Sequence, residues 1–197
     1  MSNELNIVAI QANLTWGNPE KNRLYFEQVI NNLTSDTDLV VLPEMFSTGF
    51  TMNPSSVSET MNEATVSWMI NMAKTHDMAI IGSIVIQDNN QYFNRAIFVH
   101  PSGHFEFYDK RHLFSLAGED RQYTPGTKRI VINFKGWRIC PFICYDLRFP
   151  VWSRNTDNYD VLLFMANWPI PRIDAWDTLL KARAIENMSY CIGVNRI

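Results

Sequence analysis

Three side chains with useful chemistry each end an apolar run. Glu44 comes after Val40-Val41-Leu42-Pro43, Lys110 after Phe107-Tyr108-Asp109, and Cys144 after Ile139-Cys140-Pro141-Phe142-Ile143. A thiolate is a nucleophile, a carboxylate in apolar company can serve as a general base, and an ammonium stabilises developing negative charge. Together these are the parts of a hydrolase that acylates its own cysteine. Each also has an ordinary reading: a core cysteine, a solvated loop carboxylate, a surface lysine. The segment after Cys144 favours reactivity. Tyr145-Asp146-Leu147-Arg148-Phe149-Pro150 reads as a polar turn entering a helix, which leaves N–H groups free at the helix start. Such donors lower a thiol pKa and bind an oxyanion. His112 lies two residues after Lys110, so a Cys144–His112 pair oriented by an aspartate fits the residue types equally well. Spacing does not choose between the two designs.

The elements that must position these groups alternate. Leu5–Ala12 reads as a strand, Asn18-Pro19 as the cap and first turn of a helix over 19–34, and Asp38–Pro43 as a buried strand. Residues 45–59 are turn-rich. Thr60 and Glu63 match a capping box for a helix striped by Val66, Met69, Ile70 and Ala73. Three strands come next, Met78–Gln87, Tyr92–His100 and His104–Tyr108, with turns at Asp88-Asn89-Asn90 and Pro101-Ser102-Gly103. Residues 111–128 form a long loop, and a loop of that length within a domain is commonly functional. A hairpin of Ile130–Phe134 and Trp137–Cys144, a strand at Val161–Ala166, a helix over 172–188 and a strand from Cys191 complete the chain. The sum is an α/β domain, and in such folds reactive groups gather at the carboxyl ends of strands.

The 197 residues point to one domain. An apolar fraction of 46% with 13% aromatics excludes disorder. A net charge of −3 with no basic run argues against nucleic acid and anionic membranes as partners. No apolar stretch approaches the ~20 residues of a membrane span. Met1–Leu5 shows no basic, apolar leader, and the cysteines, Cys140, Cys144 and Cys191, do not form a disulfide framework. The expected compartment is therefore reducing, most simply the cytoplasm. There is no HExxH, CxxC pair or P-loop, so no metal or nucleotide cofactor is expected.

Several segments carry a resemblance. LPEMFSTGF (42–50), FYDKRHLF (107–114), GEDRQYTPG (118–126), CYDLRFPVWSRN (144–155) and NWP through KARAIEN (167–187) closely resemble the nitrilase, or carbon–nitrogen hydrolase, superfamily, and within it the bacterial omega-amidase branch. The resemblance spans essentially the whole chain. It implies a Glu–Lys–Cys triad at Glu44, Lys110 and Cys144, chosen over the Cys–His design, with Glu119 helping to position lysine and substrate. It gives His112 no part in proton transfer, which leaves that side chain to hydrogen-bond backbone near Lys110. It also implies a four-layer αββα sandwich, usually paired as a homodimer, with no cofactor. Many relatives carry glutamate after the Arg-Phe-Pro of the cysteine motif, where this chain has Val151-Trp152, the form associated with the omega-amidase branch. Relatives also continue beyond Asn195-Arg196-Ile197, so residues 1–197 are expected to be a single domain truncated at its C-terminus, with a sheet edge left open.

The function expected is hydrolysis of the terminal amide of small 2-oxo dicarboxylic monoamides. Cys144 attacks, Glu44 moves the proton, and Lys110 with the backbone N–H of Tyr145 holds the oxyanion. Arg148 meets either the substrate carboxylate or a carboxylate of the protein at the helix start. Two other readings stand beside it: a nitrilase, carbamoyl-amine hydrolase or amidase of different range, and a non-catalytic module that keeps the fold.

Overall fold

The computed structural model describes residues 4–197; the reading of Met1–Leu5 as free of a leader falls mostly outside them. Two sheets lie face to face. The first has the order β1 (Ile7–Ala9), β2 (Leu39–Val41), β3 (Ala79–Asp88), β4 (Gln91–Val99), β5 (Phe105–Asp109). Its first three strands are parallel and its last three antiparallel. The second has the order β6 (Ile132–Phe134), β7 (Trp137–Ile143), β8 (Val161–Ala166), β9 (Tyr190–Asn195), with β7, β8 and β9 parallel.

The two-residue period of a strand sorts the side chains between layers. Leu39, Val41, Ala79, Ile81, Ala96 and Phe98 join residues of the second sheet in one core. Their neighbours Val40, Ile80, Ile97 and Val99 turn the other way. There they meet Phe26 and Ile30 of α1 (Pro19–Ile30) and Val66, Met69 and Ala73 of α2 (Ala64–His76). A short helix, α3 (Pro150–Ser153), comes after the cysteine turn. On the far side of the second sheet, Trp176, Leu179 and Leu180 of α4 (Ile173–Asn187) pack inward. The result is the expected αββα sandwich.

Local chemistry explains most element boundaries. Asn18 caps α1 by accepting from the Lys21 N–H at 3.0 Å, with Pro19 at the first helical position. Asn89 and Asn90 both have positive φ, as a two-residue hairpin loop between β3 and β4 requires. The capping box at Thr60 is corrected. Glu63 does reach back to the Thr60 N–H at 2.6 Å, but α2 begins at Ala64, and Glu59 accepts from the Thr65 N–H at 2.6 Å. The side chain that caps this helix comes from the loop before it.

Candidate active site

Each of the three groups is held by a backbone device at a strand end. Past β2, the chain continues alongside β3: Leu42 N–H donates to Ile81 O at 2.7 Å and Phe46 N–H to Ser83 O at 3.1 Å. Met45 takes a left-handed φ of 44°, and its N–H donates to Ser83 Oγ at 2.8 Å. Glu44 is thereby turned inward and is fully buried. Lys110 extends β5, with its N–H on Asn94 O and its carbonyl accepting from Gly126 N–H, both at 2.9 Å. Cys144 ends β7 with φ 43°, a strained conformation for a residue with a side chain, and opens a 3-10 turn through Arg148.

These groups converge. Lys110 Nζ donates to Glu44 Oε1 at 2.8 Å and to Glu119 Oε2 and Oε1 at 2.9 and 3.1 Å. Asn94 Nδ2 bridges the two carboxylates, at 2.8 Å to Glu44 and 3.2 Å to Glu119. Asn167 N–H donates to Glu44 Oε2 at 2.9 Å, and its side-chain amide donates to the Glu44 carbonyl. Phe114 N–H donates to Glu119 Oε2 at 2.6 Å. Glu44 is therefore neither solvated nor in apolar company; donors occupy both its oxygens. Lys110, whose alternative was the surface, is buried.

Electrostatics follow from burial. Burial alone would lower the Lys110 pKa, but the charges of Glu119 and Glu44 outweigh it and hold the ammonium above its usual range. Glu119 is raised by burial, with Lys110 opposing. The Cys144 thiol is pushed well above its ordinary value, first by burial and then by the Glu44 charge, while Lys110 and the Asn167 N–H pull the other way. The resting group is a neutral thiol beside a base, rather than a free thiolate.

Asp146 fastens the turn that carries Cys144. Its Oδ2 accepts from Ile143 N–H at 3.1 Å and Tyr108 Oη–H at 2.8 Å; its Oδ1 accepts from His112 N–H at 2.9 Å. His112 Nδ1 also lies 2.8 Å from Oδ1, and its ring stacks on Phe149 at 3.7 Å. The expectation that His112 bonds backbone near Lys110 is corrected: its partner is Asp146. His112 and Asp146 thus pair with each other, but the groups that act on the buried Cys144 thiol are Glu44, Lys110 and Asn167.

Glu44, Lys110, Cys144 and Tyr145 line one cavity of about 270 Å³, with Phe50, Phe114, Trp16 and Trp168 among its walls. Arg148 lies on the same wall, its guanidinium 5.0 Å from the Trp168 ring centre. The alternative, a protein carboxylate for Arg148, is not formed among the described residues. Glu119 stands behind Lys110 and does not line the cavity.

Sequence patterns assign no role to Asn94, Asp146, Asn167 or Trp16. Asn94 does leave a signal, since asparagine is depleted from strands and this one sits inside β4. Away from the cavity, His100, His104 and Glu106 bring possible metal-ligating atoms within 4.8 Å of one another. They meet through the β4–β5 hairpin, where His100 N–H donates to His104 O at 2.8 Å. Among the described residues, no helix is long and apolar enough to cross a membrane.

Comparison with known proteins gives a consistent result. The carbon-nitrogen hydrolase family model matches residues 6–197. An omega-amidase, YafV, of Escherichia coli strain K12 is 44% identical over 98% of this chain and 75% of its own. A 2-oxoglutaramate amidase of Bacillus subtilis strain 168 is 32% identical over 96% of this chain and 75% of its own. A crystal structure of a CN-hydrolase superfamily protein from Xanthomonas campestris, with an arsenic adduct in its active site, superposes with a TM-score of 0.96 at 41% identity, covering 98% of this chain and 76% of that one.

Proposed function

The chain belongs to the carbon–nitrogen hydrolase family, and from that premise we propose that it is an omega-amidase. It converts the terminal amide of a small 2-oxo dicarboxylic monoamide to the acid and ammonia. The observation that carries this reading is that Glu44, Lys110 and Cys144 line one cavity, with Glu119 buried behind Lys110. Similarity to an omega-amidase and to a 2-oxoglutaramate amidase supports the substrate class.

In this reading Glu44 accepts the Cys144 proton as sulfur attacks the amide carbon. The tetrahedral oxyanion is held by Lys110 and by the Tyr145 N–H, which at the first turn of the 144–148 segment has no helical partner. Collapse transfers the proton from Glu44 to nitrogen, ammonia leaves, and a thioester remains. Glu44 then deprotonates a water, which attacks the thioester carbonyl, and sulfur leaves with that proton. Splitting the hydrolysis this way replaces one difficult step by two easier ones. Lys110 keeps its charge throughout, since Glu44 and Glu119 hold it as an ammonium. Arg148 binds the substrate carboxylate.

The protein works in the cytoplasm as a homodimer. Three free cysteines suit a reducing compartment. Val151 on α3 and Ile185 and Met188 at the end of α4 are 88%, 78% and 94% exposed, apolar side chains that a second copy would cover. Ammonia release from a panel of 2-oxo monoamides, neutral amides, nitriles and carbamoyl-amines tests the function. Preference for 2-oxo monoamides, abolished by Cys144→Ser, is expected. Preference for another class would replace the substrate, and no turnover of any would replace the enzyme with a binding module.

A further inference from the structure

The reacting amide is neutral, and Lys110 is already balanced by two carboxylates, so neither distinguishes an anionic substrate from an uncharged one. That selectivity must come from the rest of the cavity. Three arginines line it: Arg148, Arg172 and Arg196. Arg196 is partly engaged, since its Nη1 donates to Ile197 O at 2.8 Å. Among the described residues, the guanidiniums of Arg148 and Arg172 donate to no protein acceptor and pair with no carboxylate.

Both nonetheless lie over aromatic rings. Arg148 lies 5.0 Å from the Trp168 ring centre and Arg172 lies 5.1 Å from that of Phe114. Trp168 Nε1–H donates to Arg172 O at 2.7 Å, so the ring beneath one arginine anchors the backbone of the other. Phe114 in turn packs on Tyr145 at 5.1 Å, next to Cys144. Stacking occupies the flat face of a guanidinium and leaves its edge, with its fork of N–H donors, free for a carboxylate.

We propose that Arg172 joins Arg148 in a two-guanidinium clamp for the substrate carboxylate, and that Arg172 thereby sets the preference for anionic over neutral amides. The inference rests on the amidase reading above and names a specificity-determining residue for it. Arg172 is exposed on a 3-10 turn, so its replacement leaves the core intact.

The test compares kcat and KM of the wild type, Arg172→Met and Arg172→Lys on 2-oxoglutaramate and on a neutral aliphatic amide of the same chain length. For Arg172→Met, KM for the anionic amide is expected to rise about 10–100-fold with kcat little changed, the effect of losing a charge-assisted hydrogen bond. The selectivity ratio between the two amides falls accordingly. Arg172→Lys, which keeps the charge and loses the fork, should fall between. A wild type that prefers the anionic amide, with Arg172→Met retaining that preference, overturns the clamp and leaves the amidase reading standing. A loss in kcat that is equal for both amides also overturns it, because that is the signature of a structural defect. A wild type with no preference for the anionic amide overturns both readings.

Discussion

Glu44 affects Cys144 in two opposite ways. Its charge helps to keep the thiol protonated, yet in the proposed mechanism it takes the proton. Glu44→Gln separates the two roles. Removing the charge leaves Lys110 beside the thiol, so alkylation of Cys144 by iodoacetamide should persist or quicken. Amide turnover should fall by about 10²–10⁴, the usual contribution of a general base. Peptide mapping after alkylation, alongside an ammonia assay, checks this; parallel losses in both would make Glu44 a structural residue. Cys140 and Cys191 supply the internal control. Burial pushes each thiol up to about 12, and neither has a carboxylate hydrogen-bonded to it as Cys144 has in Glu44. Neither should label in the native protein. Glu44, Lys110 and Cys144 are legible in the sequence as candidates because each ends an apolar run, and the family resemblance chose them over a Cys–His pair. The roles of Asn94 and Asn167 are not legible, because the carboxylate they serve lies 50 and 123 positions away.

Among the elements, the 111–128 segment shows how a loop can be both irregular and rigid. Two 3-10 turns, Ser115–Ala117 and Glu119–Arg121, shape it, and Gly126 returns it to β5. The return is close: a Cβ at Gly126 would stand 2.0 Å from the Asp109 carbonyl oxygen. Gly126→Ala must therefore push the loop away from the residue before Lys110. Overpacking against backbone is expected to cost about 1–3 kcal/mol or more, with activity lost beyond what stability explains. Thermal unfolding and turnover below the transition measure the two effects; a variant matching wild type in both would show that the loop yields freely. The strands and helices here are readable from periodicity and from Asn18-Pro19. The real start of α2 is not, since the cap comes from Glu59 and depends on how the preceding loop folds back. The partner of His112 is hidden for the same reason: Asp146 is 34 residues away, past the end of a strand in the other sheet.

For the whole molecule, the layers are legible because each sheet buries both faces, and continuous apolar runs such as Val161–Ala166 announce that. Which surface meets a second copy has no comparable signature. The homodimer proposed above would use the α3–α4 side, where Val151, Ile185 and Met188 are exposed. Ile185→Asp is expected to convert a dimer to a monomer of half the mass in light scattering after gel filtration, without change in the circular dichroism of the fold. A wild type that is already monomeric would remove this surface from consideration.

The bonds from Asn167 to Glu44 also constrain the order of events as the molecule forms. Base and amide are separated by 123 positions and follow strands of different sheets, so no local nucleus can bring them together. Contacts of such separation incur their loop-closure entropy before they gain anything, and they form late. During refolding from denaturant, far-UV dichroism should recover first and ammonia-releasing activity only in the slowest phase. Activity is then a clock for the docking of the two sheets, and stopped-flow dichroism against interrupted refolding assays reads it. Simultaneous recovery of both signals would mean that the sheets and the site condense in a single step.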